Sequence, residues 1–217
     1  MKKIVAINGS PRTDWNTGTL IREAARGAEE AGAEVQVFDL YKLEKFTGCV
    51  SCFGCKAEAN PGKCVYKDGL APVLEAIREA DGLIFGTPNY LGDVSSGFRA
   101  LYERLIFQYI SYKTDPQNYN TKRRPILFIM TSNLPEEMYD QVGYAGVLST
   151  YQATLNHIIG PTKTCVSGNT LQVKDYSKYN WTVFDAEAKK EHHEEVFPKE
   201  KEEAYSLGAA MVKEPWE

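Results

Sequence analysis

The sequence lacks the features that would direct a chain to a membrane or to nucleic acid. Its N-terminal apolar run, Ile4–Ile7, is shorter than the roughly seven to fifteen residues of a signal-peptide core, and no run approaches the ~20 apolar residues that span a bilayer. The formal net charge of −4 provides no general attraction to phosphate backbones or anionic lipid. We therefore expect a cytoplasmic protein with no membrane partner and no nucleic-acid partner.

Recognisable hydrolytic machinery is also missing. The three histidines have no Ser or Cys partner at a recognisable spacing; they are His157, His192 and His193. The clustered glutamates are typical of solvated helix faces or caps; they are Glu29 with Glu30, Glu136 with Glu137, and those in 200–203. Neither a G-x-G-x-x-G fingerprint nor a G-K-[ST] phosphate loop follows the first apolar run. The sequence therefore does not indicate a hydrolase.

The composition is that of a protein with a packed core. Hydrophobic residues make up 43% of the 217 residues and charged residues 25%, which is ordinary for a globular protein. A single core can grow to roughly 250 residues before it splits. We therefore expect one α/β domain over 1–217, with a cysteine-rich insert near 41–69, polar inserts near 108–124 and 173–198, and a C-terminal helix.

Apolar periodicity predicts a sheet whose strands alternate with helices. Five buried or alternating segments are predicted as strands: Lys3–Asn8, Glu34–Leu40, Gly82–Pro88, Pro125–Ser132 and Thr164–Val166. Helical spacing is predicted from Thr19, over Leu70–Ala80, Phe98–Ile106 and Ala145–Ile159, and again from Pro198. Such an order indicates a doubly wound parallel sheet with helices on both faces.

The loop after the first strand has the composition of a phosphate site. Residues 9–18 and the flanking Thr19 offer donors and the start of a helix, whose free N–H groups attract anions; the donors are Ser10, Arg12, Asn16, Thr17 and Thr19. Asp14 would repel a phosphate and should face solvent. The alternative is that Thr17 or Thr19 is only a helix N-cap in a surface loop.

Two further loops are expected at the same edge, because the carboxyl ends of parallel strands converge there. The loop Thr87–Gly97 combines small residues with Tyr90, which suits close contact with a flat aromatic ligand. The loop Thr131–Glu137 adds hydroxyl and amide groups. An ordinary turn with Tyr90 in the core is the alternative for the first of these loops.

Taken in order, these motifs resemble a known family. The stretches G-S-P-R then N-T, T-P-N-Y-L-G-D-V-S, and a strand ending T-S-N are similar to the NADPH-dependent FMN reductase branch of the flavodoxin-like superfamily, over about residues 1–160. The resemblance implies a flavodoxin-like sheet of order 2-1-3-4-5 and bound FMN. It places the FMN phosphate at five residues of the first loop and its flank: Ser10, Arg12, Asn16, Thr17 and Thr19. It places the FMN ring against five residues of the second loop: Pro88, Asn89, Tyr90, Leu91 and Gly92. By the same resemblance, the other edge of the ring lies near Thr131 and Ser132 of the third loop. It further implies a homodimer or homotetramer with NAD(P)H as co-substrate.

Four of the five cysteines are clustered as C-x2-C-x2-C-x8-C; they are Cys49, Cys52, Cys55 and Cys64. Three thiolates at this spacing can surround one corner of a [4Fe–4S] cluster, and a fourth can arrive from farther along the chain. The spacing resembles that of the iron–sulfur flavoproteins, a subgroup of the same family, but the last gap is longer. Structural or free thiols and a zinc site are the alternatives. Cys165, in an apolar strand, is expected to be a buried small hydrophobe.

Two functions follow from the resemblance. The first is an FMN-dependent oxidoreductase that takes electrons from NAD(P)H and passes them to a small acceptor such as a quinone, a flavin or a metal ion. The second is an electron-transfer flavoprotein that exchanges electrons with ferredoxin or another protein through a cluster. A flavodoxin-like binding module without its ligand is a third interpretation. Flavin chemistry requires no protein nucleophile, which agrees with the absence of a recognisable catalytic dyad.

Overall fold

The computed structural model describes residues 1–216, which alternate between strands and helices. The strands are β1 (Lys3–Asn8), β2 (Glu34–Asp39), β3 (Gly82–Tyr90), β4 (Asp93–Val94), β5 (Ile126–Thr131) and β6 (Thr162–Ser167). The helices are α1 (Asn16–Glu30), α2 (Ala71–Glu79), α3 (Ser96–Tyr109), α4 (Tyr139–Val142), α5 (Tyr144–Ile158), α6 (Ala186–Glu195) and α7 (Phe197–Lys213). No helix within residues 1–216 is long and apolar enough to cross a membrane.

The main sheet is parallel and has the order β2-β1-β3-β5-β6. This is the predicted flavodoxin-like order 2-1-3-4-5, and the fold class is confirmed. The sixth strand, β4, was not predicted; it pairs antiparallel with the end of β3, where Tyr90 lies opposite Asp93. The hairpin turn between β3 and β4 places Leu91 and Gly92 at positive φ angles of 57° and 86°.

Alternate residues of each central strand pack into cores on opposite faces, as a period of two requires. On one face, Val5 and Ile7 of β1 pack with α2, α3 and α5. On the other face, Ile4 and Ala6 pack with α1 and α7. Both faces are therefore covered by helices, which agrees with the continuous apolar character of β1, β3 and β5.

The C-terminal helix docks on the sheet as expected. Helix α7 packs along α1 so closely that a Cβ atom on Gly208 would lie 1.9 Å from the carbonyl oxygen of Ala24. Met211 is buried on the same face. Only a residue without a side chain permits this approach of the two backbones.

Several boundaries differ from the predictions. Helix α1 begins at Asn16, three residues before the predicted start at Thr19, and β6 covers Thr162–Ser167 where only Thr164–Val166 was predicted. The polar insert near 173–198 contains an unpredicted helix, α6, which Asp185 caps by accepting hydrogen bonds from the backbone of Glu187 and Ala188. The ends of these helices and strands are set by local capping and by edge pairing, which apolar periodicity does not predict.

The insert near 108–124 is attached to the neighbouring helices by its polar groups. Asn118 and Asn120 donate side-chain hydrogen bonds to the carbonyl oxygen of Ile158, at the end of α5, over 2.9 and 3.0 Å. Arg124 is buried and donates to the carbonyl oxygens of Ala80 and Arg78, over 3.0 and 2.7 Å, where α2 ends. The insert therefore satisfies carbonyl groups at two helix C-termini.

Candidate functional site

The carboxyl edge of the sheet contains a crevice of about 120 Å³ that opens to solvent. Nine of the twelve residues predicted for the flavin line it together: Ser10, Arg12, Asn16, Thr17, Pro88, Asn89, Tyr90, Thr131 and Ser132. They come from the ends of three neighbouring strands, β1, β3 and β5, and from the first turn of α1. The three predicted loops therefore meet in one place.

The start of α1 forms the first wall of the crevice. Trp15 occupies the N-cap position without a side-chain capping bond, so the backbone N–H groups of Asn16, Thr17 and Gly18 have no partner within residues 1–216. A Cβ atom on Gly18 would lie 1.9 Å from the carbonyl oxygen of Thr13, which is why a glycine stands in this tight first turn. Unpartnered N–H groups at a helix N-terminus are the usual setting for a phosphate.

The side chains near this helix start are held by short hydrogen bonds. Asn16 donates through Nδ2 to the carbonyl oxygen of Leu171 over 2.9 Å, and Arg12 donates to the carbonyl oxygen of Gln172. The hydroxyls of Thr17 and Thr131 are 2.7 Å apart. Arg12 is the one charged side chain among the described residues that line the crevice, and its charge suits an anionic group.

The second wall comes from the end of β3. Asn89 accepts a hydrogen bond from the backbone N–H of Gly92 over 3.0 Å, which fixes the turn at the tip of the hairpin. Tyr90 is half-exposed; partial burial raises the pKa of its hydroxyl, against the opposing charge of Arg12. An aromatic ring and adjacent backbone suit contact with a flat ligand.

Three of the predicted residues do not line the crevice. Thr19 lies two residues after Thr17 on α1, and the helical rotation of about 200° turns its side chain away. Leu91 is fully exposed at the tip of the β3–β4 hairpin. Gly92 lies in the same turn, beside Tyr144. The alternative that Thr17 or Thr19 caps α1 is wrong, because both lie inside the helix.

Asp14, predicted to face solvent, has an 83% exposed side chain, and its nearest cation is Arg22, 3.7 Å away.

Cys165 is buried as expected, and burial raises the pKa of its thiol to about 12. Such a thiol is unreactive at neutral pH.

Four lining residues were not assigned to the site individually: Trp15 and Asn133, which lie within the predicted loops, and Thr170 and Gln172, which lie outside them. Thr170 and Gln172 follow the last strand, so the rule that strand ends converge already contained the signal. The side-chain oxygens of Asn133 and Gln172 are buried and have no hydrogen-bond partner within residues 1–216. Buried polar atoms are almost always paired, so these two acceptors indicate a missing donor. The crevice therefore fits a ligand with a phosphate at one end and N–H or O–H groups along its length, as FMN has.

The four clustered cysteines line a second, smaller cavity of about 20 Å³ against the C-terminal half of α3. All four are free thiols, and among them Cys55 is buried and Cys52 exposed. Burial raises the pKa of the Cys55 thiol, against the attraction of Lys56. The backbone bends sharply between the cysteines, with positive φ at Ser51 and Phe53.

The cysteine segment is held by one face of α3. Glu103 accepts from the backbone N–H of Cys49 over 3.3 Å, and Gln108 accepts from that of Cys64 over 3.0 Å. Arg104 pairs with Asp68 at 2.6 Å, with side chains only 1% and 10% exposed. For the pKa of Arg104, burial is outweighed by its hydrogen bond to Asp68 and by the electrostatic attraction of the nearby Cys64 and Asp68 side chains, so the value is raised.

The cavity offers a set of thiol donors for a metal centre. In a tetrahedral zinc site the sulfurs are about 3.8 Å apart, since each Zn–S bond is ~2.3 Å, and no three His, Cys, Asp or Glu groups within residues 1–216 are close enough to hold one ion. Four thiols around a shared cavity, with buried N–H donors of Arg104 and Gln108 that lack partners, are the parts that an iron–sulfur cluster uses.

The chain is similar to known proteins in sequence. The sequence model of the NADPH-dependent FMN reductase family matches residues 2–138. The chain is 39% identical over 102 residues to an iron–sulfur flavoprotein of Methanocaldococcus jannaschii, covering 47% of this chain and 51% of the relative. It is 32% identical over 134 residues to an iron–sulfur flavoprotein of Archaeoglobus fulgidus, covering 61% and 60%. The chain therefore spans about half to three fifths of these curated relatives.

The fold also matches a solved structure over nearly all of the chain. The NAD(P)H:quinone oxidoreductase from Methanothermobacter marburgensis superposes with a TM-score of 0.72, covering 97% of this chain and 96% of that one at 14% identity. At this identity the likeness concerns the fold.

Proposed function

The chain belongs to the NADPH-dependent FMN reductase family, and on this premise we propose that it is an FMN-dependent oxidoreductase that takes electrons from NAD(P)H and passes them to a small acceptor: a quinone, a free flavin or a metal ion. The observation that supports this most is the crevice itself. It combines unpartnered N–H groups at the start of α1, a single cation, and an aromatic residue at the end of β3.

In this proposal, the phosphate of FMN binds the backbone N–H groups of Asn16, Thr17 and Gly18, and Arg12 neutralises part of its charge. The carbonyl oxygens of Leu171 and Gln172, which now accept from Asn16 and Arg12, keep these side chains oriented toward the site. When bound, FMN would supply the hydride and electron-transfer chemistry between the nicotinamide and the acceptor.

The remaining lining residues orient the ring. Pro88 and Tyr90 provide an apolar surface for one face, and Thr131 and Ser132 approach the other edge. The orphan oxygens of Asn133 and Gln172 accept hydrogen bonds from the ring N–H or the ribityl hydroxyls. Each pairing removes the desolvation cost of a buried acceptor, about 1–3 kcal/mol.

The visible spectrum of the anaerobically purified protein tests this proposal. We expect two separated flavin bands, their loss on removal of FMN and their return on its addition. Oxidation of NAD(P)H should then require both FMN and a quinone. A colourless protein that binds no added FMN would contradict the proposal and favour a binding module without a ligand.

A second candidate is an FMN/iron–sulfur electron-transfer flavoprotein that exchanges electrons with ferredoxin or another protein. It is favoured by the four cysteines that line one cavity and by relatives named iron–sulfur flavoproteins. In this candidate, Cys49, Cys52, Cys55 and Cys64 ligate a [4Fe–4S] cluster, which supplies one-electron chemistry when bound. Broad brown absorption beneath the flavin bands, with about four irons per chain, would support it.

We also propose that the protein forms a homodimer or homotetramer. The support is an apolar surface beside the crevice, where Leu91 is fully exposed and Tyr90 is half-exposed. Exposed apolar side chains next to one another are typical of subunit contacts.

A further inference from the structure

Two buried hydrogen-bond donors at the cysteine cavity have no acceptor. They are Nε of Arg104 and Nε2 of Gln108, and neither has a partner within residues 1–216. Both residues line the cavity that the four cysteines line, and their exposed fractions are 2% and 3%. Neither residue was singled out by the sequence analysis.

Other contacts fix the orientation of both side chains. The guanidinium of Arg104 donates to Asp68 over 2.6 Å and to the carbonyl oxygen of Tyr66 over 2.9 Å, and these bonds leave its Nε unused. Gln108 uses its oxygen to accept from the backbone N–H of Cys64, which leaves its amide N–H groups unused. The two residues are four apart on α3 and so project from the same face.

A purely structural role does not account for the unused groups. If Arg104 and Gln108 only held the cysteine segment in place, the hydrogen bonds that they already make would be sufficient. A buried donor without a partner destabilises the folded protein, and native structures contain few of them. The acceptors expected at this place are sulfur atoms, because thiols line the cavity.

We propose that Arg104 and Gln108 are positioning residues for an iron–sulfur cluster in this cavity, and that their N–H groups donate hydrogen bonds to its sulfur atoms. This inference rests on the second candidate function. Reduction adds one negative charge to a cluster, so donors aimed at its sulfurs stabilise the reduced form and raise the reduction potential. The two residues would therefore set how readily the cluster accepts an electron, without ligating iron.

The test compares Gln108→Met with a matched control, Gln152→Met. Both substitutions are neutral and remove an amide of the same size. Gln152 lies on α5, outside the residues that line the cavity, and donates to the carbonyl oxygen of Thr162. Each protein is reconstituted anaerobically with iron and sulfide, and the cluster is titrated with a chemical reductant while its low-temperature electron paramagnetic resonance signal is followed. We expect a more negative midpoint potential for Gln108→Met and an unchanged one for Gln152→Met.

Arg104→Lys provides a second measurement, because it retains the positive charge and removes the Nε donor. A more negative potential in this variant, with FMN content equal to that of the wild type, supports the inference even where Gln108→Met does not retain iron. Iron-loaded variants whose potentials equal that of the wild type overturn the inference and leave the cluster intact. A wild-type protein that holds no iron after reconstitution overturns both the cluster and the inference.

Discussion

The flavin crevice and the cysteine cavity are built in different ways. The crevice is formed where the strands β1, β3, β5 and β6 end, so the sheet fixes the relative positions of its walls. The cysteine cavity is formed by one long connection between β2 and α2 that packs on α3. The first depends on backbone pairing and the second on a few polar side chains. The two sites should therefore respond differently to single substitutions.

The largest effect is expected at the cysteine cavity from Arg104→Met. This change leaves Asp68 buried beside no cation, and the loss of one partner of a buried ion pair costs about 3–5 kcal/mol. Chemical unfolding monitored by circular dichroism would measure it. The control is Arg78→Met, which removes an ion pair with Glu75 that is more than a third exposed and should cost less than about 1 kcal/mol. Equal losses in the two variants would contradict this account.

The crevice also has one contact that depends on a helix of the insert. Lys189 of α6 is buried and donates to the carbonyl oxygen of Asn133. Burial lowers the pKa of Lys189 from 10.5 to about 8.

Because the folded pKa lies below the unfolded one, the folded state binds fewer protons between these values and gains stability as pH rises from about 8 to about 10.5. The unfolding free energy of the wild type, relative to Lys189→Met, should rise across this range by up to about 3 kcal/mol. Denaturant unfolding of both proteins at each pH is the measurement. A difference that stays constant with pH would show that Lys189 does not titrate as described.

The smallest effect on the fold is expected from Arg12→Ala and Asn16→Ala. Both should lower FMN affinity. Arg12→Ala should do so by about tenfold to a hundredfold, because it removes a charged hydrogen-bond donor to the phosphate, and Asn16→Ala by less, because its side chain bonds the carbonyl oxygen of Leu171 and only orients the loop. The thermal midpoint without FMN should change little. Asp14→Asn, in the same loop but exposed to solvent, is the control and should retain FMN as the wild type does. Unchanged FMN retention in both alanine variants would refute the proposed phosphate position.

The difference between the sites also explains what the sequence could predict. Strand order and helix placement follow from apolar periodicity, and strand ends converge by topology, so the amino-acid sequence alone places Ser10, Asn16 and Thr131 at one edge. Thr19 was misplaced because the start of α1 depends on the loop and not on the apolar pattern. The hairpin that exposes Leu91 depends on two positive φ angles, which the sequence did not indicate.

The partners of the cysteines were not predictable by the same reasoning. Arg104 and Gln108 lie on α3 with Leu101 and Leu105, and the apolar stripe of that helix does not reveal that its polar residues are buried as well. A long connection can pack in many ways, and periodicity contains no information about where it returns. The available signal was an arginine and a glutamine spaced by four along a helix that is otherwise rich in apolar residues.

The polar face of α3 has a consequence for how such a segment is inherited or engineered. Glu103, Arg104 and Gln108 provide hydrogen bonds to the segment 47–68, but they are encoded some forty residues farther along the chain. Transferring those 22 residues alone into a relative would introduce the four thiols without the α3 side chains that hydrogen-bond to the segment. The segment 47–68 should therefore be transferred together with the last two turns of α3. Recombination at a point between them would separate the cysteines from the side chains that hold them in place.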